Sequence, residues 1–333
     1  MKPKVLITWK IPGGPIRELG QYAEVEIHEG DRPLTPQEIM DRLPGKMGLL
    51  SMAIDPITSE VLQAGPDLKI VANYAVGYNN IDLAAATRRK IAVTNTPEVL
   101  TDTTADLTFA LILGVARRVA EGDRWVRAGK WMGWKPDWML GTDVHGKTLG
   151  VIGLGRIGLA VAKRAVAFNM KILYFDPRSI DSATLDSLGA KFRPLPDLLR
   201  ESDFVTLHVP LTAQTTHLIG RQELQGMKRT AFLINASRGP VVDERALVEA
   251  LRKGEIAGAG LDVFEEEPKV SPALMEMENV LLLPHIGSAT VETREKMAQV
   301  AVKNIIAVIR GEIPPSIVNP EIYALDSTEI RTG

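Results

Sequence analysis

A chain of 333 residues, 45% hydrophobic and 24% charged, has an ordinary globular composition and is long enough for two domains of about 150 residues each. Its formal net charge of −2 at pH 7 comes without a basic block, which argues against nucleic acid and anionic membrane surfaces as partners. The absence of cysteine excludes disulfides, thiolate catalysis and cysteine metal sites. With no long apolar signal region after Met1 and no run able to span a bilayer, the expected location is the cytoplasm.

The first part of the chain alternates short strands with helical spacing. Val5 to Thr8, Val25 to Ile27, Gly48 to Met52, Lys69 to Tyr74 and Ile91 to Asn95 read as strands. Pro36 to Leu43 and Ile57 to Ala64 read as helices, introduced by Thr35 and by Asp55-Pro56. This is the pattern of a small α/β domain with a mainly parallel sheet. Asn95-Thr96-Pro97 marks a hinge, and an Ala- and Leu-rich helix is expected from about Thr103 to Glu121. Gly129 to Gly141 holds Trp131, Trp134 and Trp138 and cannot be a regular helix across Pro136, so it is a loop on its own body or an arm on a partner.

Thr148 to Ile152 is a buried strand that runs into Gly153-Leu154-Gly155-Arg156-Ile157-Gly158, a tight glycine turn opening a helix to about Phe168. Gly153 permits the turn, Gly155 a close approach of a pyrophosphate, and Gly158 tight packing of helix on strand. The first N–H groups of such a helix lack partners and favour negative charge. A second strand, Lys171 to Phe175, ends in Asp176, at the spacing of an acid that takes adenosine ribose hydroxyls. The plain alternative is a structural strand–turn–helix with an incidental Asp. Further strands at Lys191 to Phe192, Asp203 to Val209, Ala231 to Asn235, Ile256 to Val263 and Val280 to Leu283, with helices at Ala183 to Leu188 and Glu244 to Arg252, make a doubly wound pattern. A long amphipathic helix from Ala289 to Arg310 follows, stopped by Gly311 and Pro314-Pro315, and the tail from Ser316 has no strong pattern. The two terminal pieces are expected to form one domain (1–99 and 289–333) that the chain leaves for a dinucleotide domain (100–288) and re-enters. Two such domains leave a cleft, where ligand sites are favoured.

Strand ends of an open α/β sheet line its ligand crevice, and here they carry Ala236-Ser237-Arg238-Gly239, Phe264-Glu265-Glu266-Glu267-Pro268 and Pro284-His285-Ile286-Gly287-Ser288. An Arg fork suits a carboxylate or a polarised carbonyl, and a His can pass a proton near neutral pH. A Glu on that His fixes its tautomer and favours its charged form. Together they can reduce a 2-oxo acid with hydride from a nicotinamide. Taken singly, each has a structural reading: a surface Arg, a solvated acidic run, a buried His. The residues alone leave Glu265, Glu266 and Glu267 equivalent.

The glycine turn, Asn235-Ala236-Ser237-Arg238-Gly239, Gly260-Leu261-Asp262-Val263-Phe264 through Pro268, and Pro284 through Ser288 resemble the D-2-hydroxyacid dehydrogenase family over nearly the whole chain. The resemblance implies a Rossmann dinucleotide domain inserted into a smaller flavodoxin-like α/β substrate domain. It implies Arg238 as the substrate-binding Arg, Glu267 as the partner of the His, and His285 as the acid/base. It assigns the substrate carboxylate to the backbone N–H groups of Val76 and Gly77, and places Thr104, Pro210, Ala236, Ser237, Asp262 and Gly287 along the cofactor, with Asp262 accepting from the nicotinamide carboxamide. Pro177 and Arg178 join Asp176 at the adenosine end, and no metal is implied.

Within the family, Gly133-Trp134-Lys135-Pro136 through Gly141 and His285 through Thr290 are most like glyoxylate and hydroxypyruvate reductases. Glu267 disfavours the formate dehydrogenase branch, which has Gln there, and Val76 disfavours phosphite dehydrogenases, which carry Lys nearby. Other D-2-hydroxyacid dehydrogenases (D-lactate, D-glycerate, 2-ketogluconate) and a dinucleotide-sensing corepressor-like scaffold are the alternatives; the lack of long disordered or basic extensions argues against the scaffold. Asp176 implies NAD, with NADH preferred and NADPH possible, because Arg178 could swing toward a 2′-phosphate. The helix after Thr103 and the tryptophan arm suggest a homodimer, with Trp138, or less so Trp134, reaching the partner's substrate site.

Overall fold

The computed structural model describes residues 1–324. Positions 325–333, the end of the tail read above as patternless, lie outside the described residues. The chain divides into two compact units, Thr101–Gly287 and Met1–Leu100 together with the chain from Ser288 onward.

The first unit opens with β1 (Lys4–Ile7), α1 (Gly13–Tyr22), β2 (Glu24–Ile27), α2 (Pro36–Arg42), β3 (Gly48–Met52), α3 (Ser59–Ala64), β4 (Ile70–Tyr74), α4 (Leu83–Arg88) and β5 (Ala92–Thr94). The strands form one parallel sheet in the order β2-β1-β3-β4-β5, the flavodoxin-like winding. Strand β4 is buried along its whole length, as a central parallel strand covered on both faces must be. Thr35 caps α2 in a reciprocal pair with Glu38. The start of α3 differs from the sequence expectation. Thr58 is its cap, Ile57 bridges to Ile81, and Asp55 turns inward to accept from Thr8 Oγ1 and Met52 N. Helices α1 and α4 have no counterpart in the sequence reading. Two glycines and Pro15 begin α1, which hides its period.

The second unit begins with α5 (Thr101–Ala116) and α6 (Val119–Arg127), which corrects the single helix expected over Thr103 to Glu121. Arg118 breaks it in the left-handed conformation at φ 55°. Its guanidinium makes two 2.7 Å hydrogen bonds to the buried carboxylate of Glu121, so a side-chain pair rather than a Gly or Pro makes the corner. Then follow β6 (Thr148–Ile152), α7 (Arg156–Ala167), β7 (Lys171–Phe175), α8 (Ser182–Leu188), β8 (Lys191–Phe192), α9 (Leu195–Glu201), β9 (Phe204–Leu207), α10 (Arg221–Gly226), β10 (Phe232–Asn235), α11 (Glu244–Arg252), β11 (Gly258–Leu261), α12 (Pro272–Met275) and β12 (Val280–Leu282). All seven strands are parallel, in the order β12-β11-β10-β9-β6-β7-β8. This is a doubly wound Rossmann sheet whose strand order reverses between β9 and β6. One apolar cluster covers each face: Ile152, Leu207, Leu233 and Leu261 meet α11 on one side, while Val151, Phe204 and Ile234 meet α5 and α7 on the other.

The chain re-enters the first unit through α13 (Val291–Ile309), capped by Thr290 and packed on α1 and β4, and reaches α14 (Glu321–Ala324). Between these helices the tail is not idle. Ile317 bridges Thr94, and the fully buried Asn319 accepts from Val93 N and donates to Ile91 O, which closes the edge of β5.

Candidate active site

The seven-stranded sheet gathers the sequence-predicted residues at one edge. Taken in spatial order, the carboxyl ends of β12, β11, β10, β9, β6 and β7 lead to His285, Asp262, Ala236 through Arg238, Pro210, Gly153 and Asp176. Residues separated by more than a hundred positions therefore share one rim because parallel strands all end on the same side.

At the middle of that rim β6 turns sharply into α7. Gly153 adopts φ +91°, and a Cβ there would lie 2.7 Å from His208 O, so only glycine fits. A Cβ on Gly158 would meet Gly153 O at 2.2 Å, which fixes how closely helix and turn approach. Gly155 has room for a side chain, and no side chain caps α7. An open helix N-terminus beside a glycine turn suits a pyrophosphate, with Gly155, Arg156 and Ile157 at its mouth. The carboxylate of Asp176, 2% exposed, accepts from Leu154 N at 2.9 Å and so ties the end of β7 to the turn. It also accepts from the backbone N, Nε and Nη2 of Arg178. The guanidinium of Arg178 hydrogen-bonded to it, together with its backbone contacts, holds the Asp176 carboxyl below the usual range against its burial. Arg178 thus lies on Asp176 rather than apart from it, while Pro177 between them is exposed.

Toward the other end of the rim stand the groups with acid–base character. His285 Nδ1 lies 2.8 Å from Glu267 Oε2, and Glu267 Oε1 accepts from Phe264 N at 3.0 Å. An ionised carboxylate only accepts, so Nδ1 carries a hydrogen and Nε2 is the atom left to exchange a proton. Burial pushes the Glu267 carboxyl up, but the hydrogen bond and charge of His285, the Phe264 N–H and Arg238 outweigh it, and the carboxyl ends below its ordinary value. Glu265 accepts from His217 instead, and Glu266 is exposed, so the three glutamates that sequence left equivalent have three different surroundings. His285 itself sits at φ 54°, a left-handed conformation that is costly for a non-glycine residue and is held by His285 N on Asp262 O.

Asp262, 1% exposed, supports that loop: its two carboxylate oxygens accept from Ile286 N and Gly287 N, each at 2.8 Å. Burial raises its carboxyl despite these donors. Thr104, on α5, comes to the same place, since a Cβ on Gly287 would meet Asp262 Oδ2 at 3.2 Å and Thr104 Cγ2 at 3.5 Å. Arg238 stands beside Glu267, with Nη1 on Ser237 O at 2.7 Å; its burial holds the guanidinium below its usual value while Glu267 pulls the other way. Asn235 supports this loop in a way the sequence reading missed: Oδ1 accepts from Ser237 N and Oγ, and Nδ2 donates to Arg238 O. Its position at the end of a strand just before Ser and Arg was the available signal.

Val76 and Gly77 lie in the first unit, in the turn after β4. The stretch Gly129 to Gly141 carries no helix or strand. Trp138 packs edge-to-face on Trp125 of its own chain, with centroids 5.5 Å apart, whereas Trp134 is 82% exposed.

Residues 109–287 match the family described as D-isomer specific 2-hydroxyacid dehydrogenase, NAD binding domain. The chain belongs to this family. It is 55% identical over 330 residues, 98% of each chain, to the glyoxylate reductase of Pyrococcus horikoshii, and 52% identical over 326 residues, 97% of each, to that of Korarchaeum cryptofilum. The crystal structure of an NADPH-dependent glyoxylate/hydroxypyruvate reductase from Sinorhizobium meliloti, in complex with NADP and malonate, superposes with a TM-score of 0.86 at 36% identity, covering 96% of this chain and 97% of that one. Membership makes the chain an NAD(P)-dependent oxidoreductase acting between 2-oxo and 2-hydroxy acids. Among the described residues no helix is long and apolar enough to cross a membrane.

Proposed function

We propose that this enzyme reduces a small 2-oxo acid, glyoxylate or hydroxypyruvate, to the 2-hydroxy acid, of D configuration where the product is chiral, with NADH preferred and NADPH accepted. The observation that carries the chemistry is the Glu267–His285 pair beside Arg238 on one rim of the dinucleotide sheet. The relatives named glyoxylate reductase supply the substrate.

In this reading Arg238 holds the 2-oxo acid by its planar fork and polarises the carbonyl. Glu267 keeps the His285 ring oriented and favours its charged form, and the Nε2 proton passes to the carbonyl oxygen as that oxygen gains the electron pair of the broken C=O π bond. NADH, when bound, supplies the hydride to the carbonyl carbon. Proton loss leaves His285 neutral with Nδ1–H still on Glu267, ready to regain a proton from solvent. The carboxylate of the acid is assigned to the N–H groups of Val76 and Gly77.

The dinucleotide fits the second unit: the turn at Gly153, the uncapped start of α7 at Gly155, Arg156, Ile157 and Gly158, and the acidic strand end at Asp176 answer its pyrophosphate and ribose. Asp176, Pro177 and Arg178 would hold the adenosine end; Thr104, Pro210, Ala236, Ser237, Asp262 and Gly287 would line the nicotinamide end. Since Arg178 already occupies Asp176, ribose hydroxyls must replace some of its hydrogen bonds. That exchange leaves a cation at hand for a 2′-phosphate and is the reason for expecting measurable NADPH activity.

The working form is read as a cytoplasmic homodimer. Val126, Trp131, Met132, Trp134 and Leu140 are all more than half exposed within one short span, the kind of apolar surface that a second copy covers. Trp138, or failing it Trp134, is the side chain proposed to reach the partner's substrate. Light scattering at micromolar concentration should give twice the monomer mass, and a monomer would end this part of the reading. NADH oxidation measured with glyoxylate, hydroxypyruvate, pyruvate and 2-ketogluconate tests the function. The highest kcat/KM should fall on glyoxylate or hydroxypyruvate, and no turnover with any of the four would reject it.

A further inference from the structure

The turn after β4 is held from behind at three successive carbonyls. Ala75 O accepts from Thr96 N at 2.9 Å, Val76 O from Asn95 Nδ2 at 2.8 Å, and Gly77 O from Asn73 Nδ2 at 2.8 Å. A peptide is planar and trans, so each N–H points opposite to the carbonyl of its own plane. Fixing these three carbonyls against the body of the unit therefore directs the N–H groups of Val76, Gly77 and Tyr78 away from it. None of these three N–H groups meets an acceptor among the described residues. Three consecutive donors without an acceptor, facing the same way, are suited to an anion.

The two asparagines are themselves set. Asn73 is 1% exposed, and its Oδ1 accepts from Ser51 Oγ at 3.2 Å and Asn80 Nδ2 at 3.3 Å. A flipped amide would put oxygen against Gly77 O, so the donor must face the turn. Asn80 also donates to Met52 O and Asp55 O, and Asp55 is tied to Thr8. The backbone of Asn95 is fixed by its N on Ser316 O. The network thus runs from the ends of β1 and β3 to the turn after β4.

We infer that Asn73 and Asn95 are positioning residues that aim three backbone amides, those of Val76, Gly77 and Tyr78, at the carboxylate of the substrate. Tyr78 N–H is the third donor, beyond the Val76–Gly77 pair. The inference rests on the reading of the substrate as a 2-oxo acid bound at this turn. The asparagines act on charge recognition and not on hydride or proton transfer, so their loss should separate substrates by charge.

The test compares kcat/KM for glyoxylate with that for its uncharged methyl ester, at saturating NADH, in the full-length enzyme. Asn73→Leu and Asn95→Leu, similar in shape but without a donor, should lower the glyoxylate-to-ester ratio by about tenfold or more, mostly through KM, and leave the ester within about threefold of wild type. Tyr78→Pro, which removes the third N–H, should lower the ratio as well. General structural damage would depress both substrates together, and an unchanged ratio in the asparagine variants would overturn the inference; an unchanged ratio in Tyr78→Pro would remove the third donor. Gly77→Pro separates the two layers of argument. If it leaves the ratio at the wild-type value, the carboxylate is not bound at this turn and the underlying reading fails. If it collapses the ratio while the leucine variants do not, only the role of the asparagines fails. Should Asn73→Leu not fold, Asn95→Leu at its half-buried position gives the decision alone.

Discussion

Replacing Asp176 by Asn removes a charge at the adenosine end of the site while keeping the shape of the side chain. The carboxylate is 2% exposed and accepts four hydrogen bonds, one from Leu154 and three from Arg178, whose own side chain is 65% exposed. A 2′-phosphate there would stand within a few ångströms of it. Two unit charges 5 Å apart repel by about 0.8 kcal/mol at the dielectric of water and about 3 kcal/mol at an effective dielectric of 20. The exposure of Arg178 and its partial cancellation of Asp176 favour the lower half of that range, about 1–2 kcal/mol. At 1.4 kcal/mol per factor of ten, Asp176→Asn should raise the NADPH-to-NADH ratio of kcat/KM by about 5- to 30-fold. Arg178→Ala should move the ratio the other way, because it uncovers the charge of Asp176. The assay is steady-state oxidation of each coenzyme at saturating glyoxylate. A ratio within about twofold of wild type in Asp176→Asn, or a shift toward NADPH in Arg178→Ala, would refute the electrostatic reasoning. A wild type that favours NADPH by about tenfold or more would mean that Asp176 does not face the ribose.

Two further predictions concern the other end of the rim. Arg238→Lys keeps the charge but loses the fork, so the KM for glyoxylate should rise by about tenfold or more with NADH binding unchanged; equal loss of both would indicate a folding defect. Glu267→Gln removes the carboxylate that orients the His285 ring and holds its Nδ1–H, so kcat for glyoxylate should fall by about tenfold or more with NADH binding unchanged, and an unchanged kcat would exclude Glu267 from that role. The Glu267 carboxyl is held below its ordinary value, so its contribution to stability is present above the unfolded carboxyl range and is lost as the pH falls through the folded value. The stability difference between wild type and Glu267→Gln should accordingly be largest near neutral pH and shrink below about pH 4, as read by chemical denaturation.

The parts legible in the sequence were those governed by local period and backbone freedom. Strands β6, β7 and β10 are short apolar runs bounded by turn residues, and the turn at Gly153 announces itself because nothing else fits φ +91°. The break at Arg118 was not legible, since it depends on a side-chain pair with Glu121 that no composition rule marks. Asp55 looked like a helix start and is instead a buried anchor for Thr8 and Met52, because the sheet brings β1 and β3 together. The distinction among Glu265, Glu266 and Glu267 is also tertiary. Only the return of the chain after β12 gives Glu267 its His285 neighbour, while His217 takes Glu265. The support given by Asn73, Asn95, Asn235 and Asp262 was hidden for the same reason: short polar residues at strand ends are common, and what they hold is decided by the loops folded over them.

The central claim is that His285 Nε2 delivers the proton that accompanies hydride transfer to a small 2-oxo acid. His285→Asn tests it most directly, with NADH affinity from fluorescence titration and kcat for glyoxylate measured on the same preparation. The account predicts NADH binding within about twofold of wild type and a fall in kcat of about 10²- to 10⁴-fold. Turnover near the wild-type rate, with the coenzyme bound as before, would contradict it.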